Sequence, residues 1–268
     1  MMTQGRCAME ELRFFDAHCY VGRYKTFRPG SFYTTGDLAE QMEHFGIAEA
    51  LVTHAMSREL HPIDGNAAVL EETKGRDNLH PSWSVVPPRS GELPGPAALA
   101  GQMISTGVRA AKLFCGSYTF PISEWCVGEL LDEMEAHRVP TFLDPDIELD
   151  TWAEDQFDWD AVDAVCRHHP QLPVILSEAR FRSSNRLLYQ LLEKHANLHI
   201  ELSGLWAHHA IEFITREFGA HRLLFGTRMP VRDPACAIGQ VAYADISEGD
   251  KKLIAGDNLR ALLGGVEL

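Results

Sequence analysis

Phe225-Gly226-Thr227-Arg228-Met229-Pro230 is the stretch that decides how the chain reads. It completes an apolar run, Arg222 to Thr227, with strand composition, and it puts Arg228 on the same face as Gly226 and Leu224. An arginine stays protonated and has no lone pair, so at a strand end it can hold an anion or a carboxylate but not a cation.

Working outward, similar short apolar runs occupy 12–20, 49–55, 80–87, 108–114, 140–144, 173–179 and 198–204, with 222–227 as the eighth. Amphipathic stretches lie between them at 37–46, 64–74, 96–106, 123–138, 158–169, 183–196, 208–219 and 236–263, the last broken near Ser247. Repeated strand–helix alternation with strands apolar on both faces predicts a buried parallel sheet. Eight such units predict an α/β fold of the (β/α)8 TIM-barrel type, one domain over 1–268. The Pro/Gly-rich stretch 87–96 reads as a loop. The stretch 22–36, with Tyr24, Phe27, Phe32 and Tyr33, reads equally as a lid or as a loop packed on its own barrel.

The formal net charge of −14 argues against nucleic acid and anionic membrane as partners, and no apolar run has the roughly 20 residues that a membrane span needs. Six scattered cysteines without a Cys-x-x-Cys spacing suggest free thiols and a cytoplasmic setting, and residues 1–14 hold no apolar signal core. Whether the chain forms a homo-oligomer is left open.

Phe15-Asp16-Ala17-His18-Cys19-Tyr20, Gly107-Val108-Arg109-Ala110-Ala111-Lys112-Leu113, Glu201-Leu202-Ser203-Gly204, Phe225 to Pro230 and Gly256-Asp257-Asn258-Leu259-Arg260-Ala261-Leu262-Leu263 together resemble the amidohydrolase-related family of metal-dependent TIM-barrel hydrolases and decarboxylases. The resemblance spans nearly the whole chain. It implies a barrel whose strand ends carry Asp-x-His-x-His, two further histidines and a closing Asp. Here the first histidine is His18, but the other four positions hold Tyr20, Asp144, Glu178 and Arg228. His18, Asp144 and Glu178 could still ligate one divalent transition metal such as zinc. A guanidinium is repelled by a cation and attracted by carboxylates, so the expected arrangement has no metal: Arg228 replaces it, with Asp144 and Glu178 as counter-ions.

The expected catalytic set is His18, Lys112, Asp144, Glu178 and Arg228, at the ends of otherwise apolar strands. Asp16 and Tyr20 share the strand face of His18, and with His54 and Arg180 they are expected to contact the substrate. Arg182 and Arg232 read as ordinary surface arginines. The neighbours His168–His169 and His208–His209 point about 100° apart on a helix and are not chelating pairs. The acidic run 148–160 reads as a solvated loop. The resemblance implies hydrolysis or non-oxidative decarboxylation of a small anionic, carboxylate-bearing molecule. A non-catalytic anion- or partner-binding barrel and an unusual metallohydrolase remain alternatives.

Overall fold

Strand and helix alternate as the apolar runs require. The computed structural model describes residues 11–26, 28–145, 158–178 and 185–267. Its strands are β1 (Phe14–Val21), β2 (Ile47–His54), β3 (Leu79–Pro81), β4 (Trp83–Ser84), β5 (Ala111–Phe114), β6 (Thr141–Asp144), β7 (Val174–Leu176), β8 (Leu198–Glu201) and β9 (Leu223–Leu224). Neighbours pair in parallel, in the orders β1-β2-β3 and β4-β5-β6-β7-β8-β9.

Ser82 joins the two groups. Its N–H donates to Val52 at 2.8 Å, and the next N–H, of Trp83, donates to Ala110 at 3.1 Å, so β3 and β4 are two halves of one strand. On the other side, Ala17 N–H donates to Phe225 O (2.9 Å), Arg228 N–H to His18 O (2.7 Å) and Tyr20 N–H to Met229 O (2.8 Å). The segment after β9 thus lies against β1, and the eight-strand TIM barrel expected from the sequence is present.

The helices start where the chain chemistry allows. Thr34 and Asp37 form a reciprocal capping box ahead of Thr35–Phe45, and Gly46 ends that helix with a left-handed φ of 71°. Proline opens the helices Pro62–Thr73, Pro96–Ser105 and Pro234–Ala242, where its missing N–H removes nothing. The break expected near Ser247 is real: the Ser247 hydroxyl caps Glu248–Lys252, and a π-turn, Leu253–Asp257, leads into Asn258–Gly264. The short helix Ala55–Glu59 was not expected, because five residues are too few to leave a period in the sequence.

Two apolar layers result. Phe15, Ala17, Leu51, Ala110, Phe142, Ile175 and Leu224 fill the barrel, and Leu259 and Leu263 of the last helix close its lower end. A larger layer lies between strands and helices, and includes Phe14, Cys19 and Val21. Burying each large side chain contributes roughly 1.5–3 kcal/mol.

These memberships correct the sequence reading of β1. Its pairing with β2 is irregular between Asp16 and Cys19, so strict alternation does not hold there. Phe15 and Ala17 face inward below the irregularity, which turns Asp16 away from that interior.

Candidate active site at the barrel mouth

Above the inner apolar layer, the strand ends bring together His18, Tyr20, Lys112, Asp144, Glu178, Glu201 and Arg228, all almost fully buried. Lys112 follows Ala110 and Asp144 follows Phe142 by simple alternation, which is why both were legible in the sequence. Glu178 and Arg228 reach the mouth differently. Both have left-handed backbone, with φ of 58° and 60°, a conformation that costs a non-glycine residue about 1–3 kcal/mol and is found where side chains must be aimed.

Glu178 is the anionic centre. Arg228 Nη1 donates to its Oε2, Arg232 Nη2 donates to the same oxygen at 2.9 Å, and Ser203 Oγ donates to Oε1 at 2.8 Å. Burial pushes the Glu178 carboxyl up, but the two guanidiniums outweigh it and hold the group below its usual range. Arg228 is likewise raised: burial works against its charge, and Glu178 and Asp144 more than compensate. Arg232, read from sequence as an ordinary surface residue, is therefore part of the mouth; its guanidinium also lies 4.6 Å from the Trp206 ring. Beside it a cavity of about 220 Å³ is lined by Leu202, Ser203, Trp206, Thr227 and Arg232 among others. A larger one, about 320 Å³, opens at the opposite end of the barrel near Arg109 and Arg260 and does not reach these groups.

His18 is the second centre. Its Nδ1 lies 3.0 Å from Glu201 Oε2, its Nε2 2.8 Å from the Tyr20 hydroxyl and 3.7 Å from Asp144 Oδ2. Burial, reinforced by the charge of Lys112, holds the imidazole well below its ordinary range, so it is neutral. With the carboxylate at Nδ1, that nitrogen carries the proton and Nε2 accepts from Tyr20. Glu201 escaped the sequence reading as a functional residue, although its strand ending was noted. Burial raises its carboxyl against the pull of Ser203, whose N–H donates at 2.5 Å and whose single hydroxyl proton, 2.7 Å away, is shared between this carboxyl and that of Glu178. Gly226 makes room for it: a Cβ at that position would overlap the Glu201 carboxylate.

Lys112 differs from the other cations. Its side chain is fully buried, and its Nζ has no hydrogen-bond partner among the described residues. It lies 5.0 Å from the centroid of Phe142 and 5.6 Å from that of Tyr20. Burial lowers its pKa, against the opposing charges of Asp144 and Glu201. Arg58, in the unexpected short helix, adds to the positive field: its guanidinium is 5.9 Å from the Tyr24 ring and buried.

Two expected substrate contacts sit elsewhere. Asp16 serves the seam between β1 and β9: Oδ1 accepts from His18 N–H and Thr227 N–H, both at 2.9 Å, and Oδ2 from the Thr227 hydroxyl and, at 2.8 Å, from Cys19 Sγ. Burial outweighs these bonds and raises its pKa to about 6. His54 is a helix cap, accepting from Met56 N–H at 3.2 Å, with its ring packed over Gly22. Arg180 lies outside the described residues, as do Arg182, Phe27 and most of the acidic run 148–160.

The chain belongs to the amidohydrolase family, whose sequence profile matches residues 16–265. Solved structures share its fold at low identity. A 2,6-dihydroxybenzoate decarboxylase from Rhizobium is 17% identical with a TM-score of 0.70, over 94% of this chain and 98% of that one. A dihydroxybenzoic acid decarboxylase from Polaromonas sp., solved with manganese and 2-nitroresorcinol, is 15% identical with a TM-score of 0.72, over 94% and 96%. A 5-carboxyvanillate decarboxylase from Sphingomonas paucimobilis is 12% identical with a TM-score of 0.71, over 94% and 99%. No curated protein matches the sequence.

The manganese in one relative raises the question of fit here. His18, Glu178 and Glu201 do offer donor atoms within 4.8 Å of one another, a set that includes Glu201 where the sequence suggested Asp144. The surrounding charge does not suit a divalent cation. Both nitrogens of His18 are already hydrogen-bonded, Glu178 Oε2 takes two guanidiniums, and the Lys112 ammonium is buried among the same groups. A cation placed there would displace ion pairs and face buried positive charges at short range.

Proposed function

We propose that this chain is a metal-independent amidohydrolase-family enzyme, a lyase or hydrolase of a small carboxylate-bearing molecule. The observation that carries the reading is Lys112: a fully buried ammonium without a hydrogen-bond partner among the described residues, in a mouth whose other cations already have carboxylates. A buried charge of this kind is costly alone and is relieved by an anion. The decarboxylases that share the fold are named for small aromatic carboxylates, 2,6-dihydroxybenzoate and 5-carboxyvanillate.

In this reading Lys112 receives the substrate carboxylate or the oxyanion formed from a carbonyl, in a dry site where the interaction is strong. Arg228 and Arg232 stay paired with Glu178 and supply fixed positive potential. Glu201, His18 and Tyr20 form a proton wire. An imidazole takes a proton at one nitrogen and releases one from the other, so a proton passed from the Tyr20 hydroxyl to Nε2 is matched by the Nδ1 proton passing to the Glu201 carboxylate, whose proton affinity burial raises. Asp144, at the rim of this wire, faces the same space. A non-catalytic anion-binding barrel is the second reading, favoured by the paired Arg228–Glu178 plug.

Chelator-stripped protein should be melted with a panel of small mono- and dicarboxylates, and the binders assayed for released CO2 or hydrolysis product. The expected result is a raised melting temperature and turnover without added metal, both lost in Lys112→Met. Turnover that appears only when manganese or zinc is restored would refute metal independence. A carboxylate that binds Lys112→Met as well as wild type would refute the role of the lysine. Binding without turnover across the panel would select the non-catalytic reading.

A further inference from the structure

His169 follows the helix Trp159–His168, and its ring is only 1% exposed although acidic side chains surround it. Its Nε2 lies 3.3 Å from Glu124 Oε2. Its Nδ1 lies 3.4 Å from Asp132 Oδ1 and 3.6 Å from Glu135 Oε2, and has no hydrogen-bond partner among the described residues. Glu124, Asp132 and His169 each present a donor atom within 4.8 Å of the other two. Glu135 is held in place by the Gln171 N–H, 2.7 Å from its other oxygen. Among the described residues, no lysine or arginine forms an ion pair with Glu124, Asp132 or Glu135.

The helix Glu124–Ala136 is shaped for this contact. Glu124, Gly128, Asp132 and Glu135 follow one another at steps of four, four and three, so they share one face. A Cβ at Gly128 would overlap the Glu124 carboxylate. The glycine therefore lets Glu124 lie flat along its own helix and reach His169, although glycine is unfavourable inside a helix.

With Glu124 taking the Nε2 proton, the Nδ1 lone pair faces two carboxylates. That arrangement is repulsive until a cation enters. A histidine oriented by a carboxylate on one nitrogen, with its other nitrogen turned toward acidic ligands, is how proteins hold zinc. We propose that His169, Asp132 and Glu135, oriented by Glu124, form a surface site for a late first-row divalent cation such as zinc, joining the helix Glu124–Ala136 to the end of Trp159–His168. Imidazole selects this class over calcium and magnesium, which prefer all-oxygen sites.

The test is calorimetric titration of tag-free, chelator-stripped protein with zinc chloride at pH 8, in a non-coordinating buffer. One saturable equivalent is expected for wild type, and no saturable binding for His169→Ala. If His169→Ala does not fold, Asp132→Asn, at an exposed position, should weaken binding at least tenfold in its place. Gly128→Ala should weaken zinc about 10- to 100-fold, the usual effect of losing an orienting carboxylate. Without zinc it should melt no lower than wild type, which separates loss of the site from loss of the fold. Calcium chloride should give no saturable heat. Wild type that takes up no zinc, or a folded His169→Ala that takes it up unchanged, would overturn the proposal.

Discussion

His18 and His169 both sit among carboxylates, each in a set of three donors within 4.8 Å, yet their surroundings differ in sign. Around His18 the carboxylates are already answered by Arg228 and Arg232, with Lys112 close by. Around His169 no lysine or arginine pairs with the acids among the described residues, and the ring itself meets three of them. Donor geometry alone would rate the two clusters alike. The charge between the donors separates a mouth suited to an anion from a clasp suited to a cation.

Reversing the charge at the mouth is the hardest test of this contrast. Arg228→Asp would place a new carboxylate against Glu178 and leave that buried group with one guanidinium fewer. Breaking a buried pair by removing one partner costs about 3–5 kcal/mol, and reversal should cost at least that. Urea unfolding should show the loss, and zinc titration should show no new uptake. A variant that melts like wild type and binds zinc at the mouth would erase the distinction.

A smaller effect should appear with pH. His18 is held well below its ordinary range, and His199, buried with Nδ1 on the His221 carbonyl (3.1 Å), is pushed down to about 4. Below the unfolded value of 6.5 the unfolded chain binds protons that these folded histidines refuse, so their stabilisation is present above that pH and lost as pH falls. From pH 7 to 6 the two together should remove about 1 kcal/mol, seen as a falling urea midpoint. Below that, Asp16 works the other way. Its folded carboxyl, raised to about 6, keeps a proton that the unfolded chain has released, and flattens the curve. Stability that rises as pH drops from 7 to 6 would mean that His18 is charged in the folded protein.

The smallest expected effect is at the clasp. Asp132 is largely exposed, so in zinc-free protein Asp132→Asn should change unfolding by no more than about 0.5 kcal/mol. A larger loss would make the clasp a structural ion pair and bring the two clusters closer in kind.

The barrel was legible because eight apolar runs alternate with amphipathic ones, and Lys112 and Asp144 because simple strand alternation aims them. The pairing of Arg228 with Glu178 followed from charge and position, although the left-handed backbone that aims both is not written in any period. Asp16 was misplaced because the irregularity in β1 leaves no mark in residue type. His54 looked like a mouth residue for want of the five-residue helix it caps, and Arg58 was missed for the same reason. Glu201 gave its one sequence clue 183 residues away from His18, and only the fold brings the two within 3.0 Å. Arg232 and the Glu124–His169 contact likewise depend on loops and helices meeting, which local patterns do not encode.

Asp16 and Thr227 are bonded across 211 residues, and this sets the order in which the molecule can be made. At about 5–20 residues per second, the ribosome delivers the second partner roughly 10–40 s after the first. Until the segment with Thr227 is made, β1 can pair only with β2, and its other edge stays open to pairing with other chains. The nascent protein is therefore most exposed to misassembly just before the segment that carries Arg228 emerges, and the residues that finish the mouth also remove the hazard.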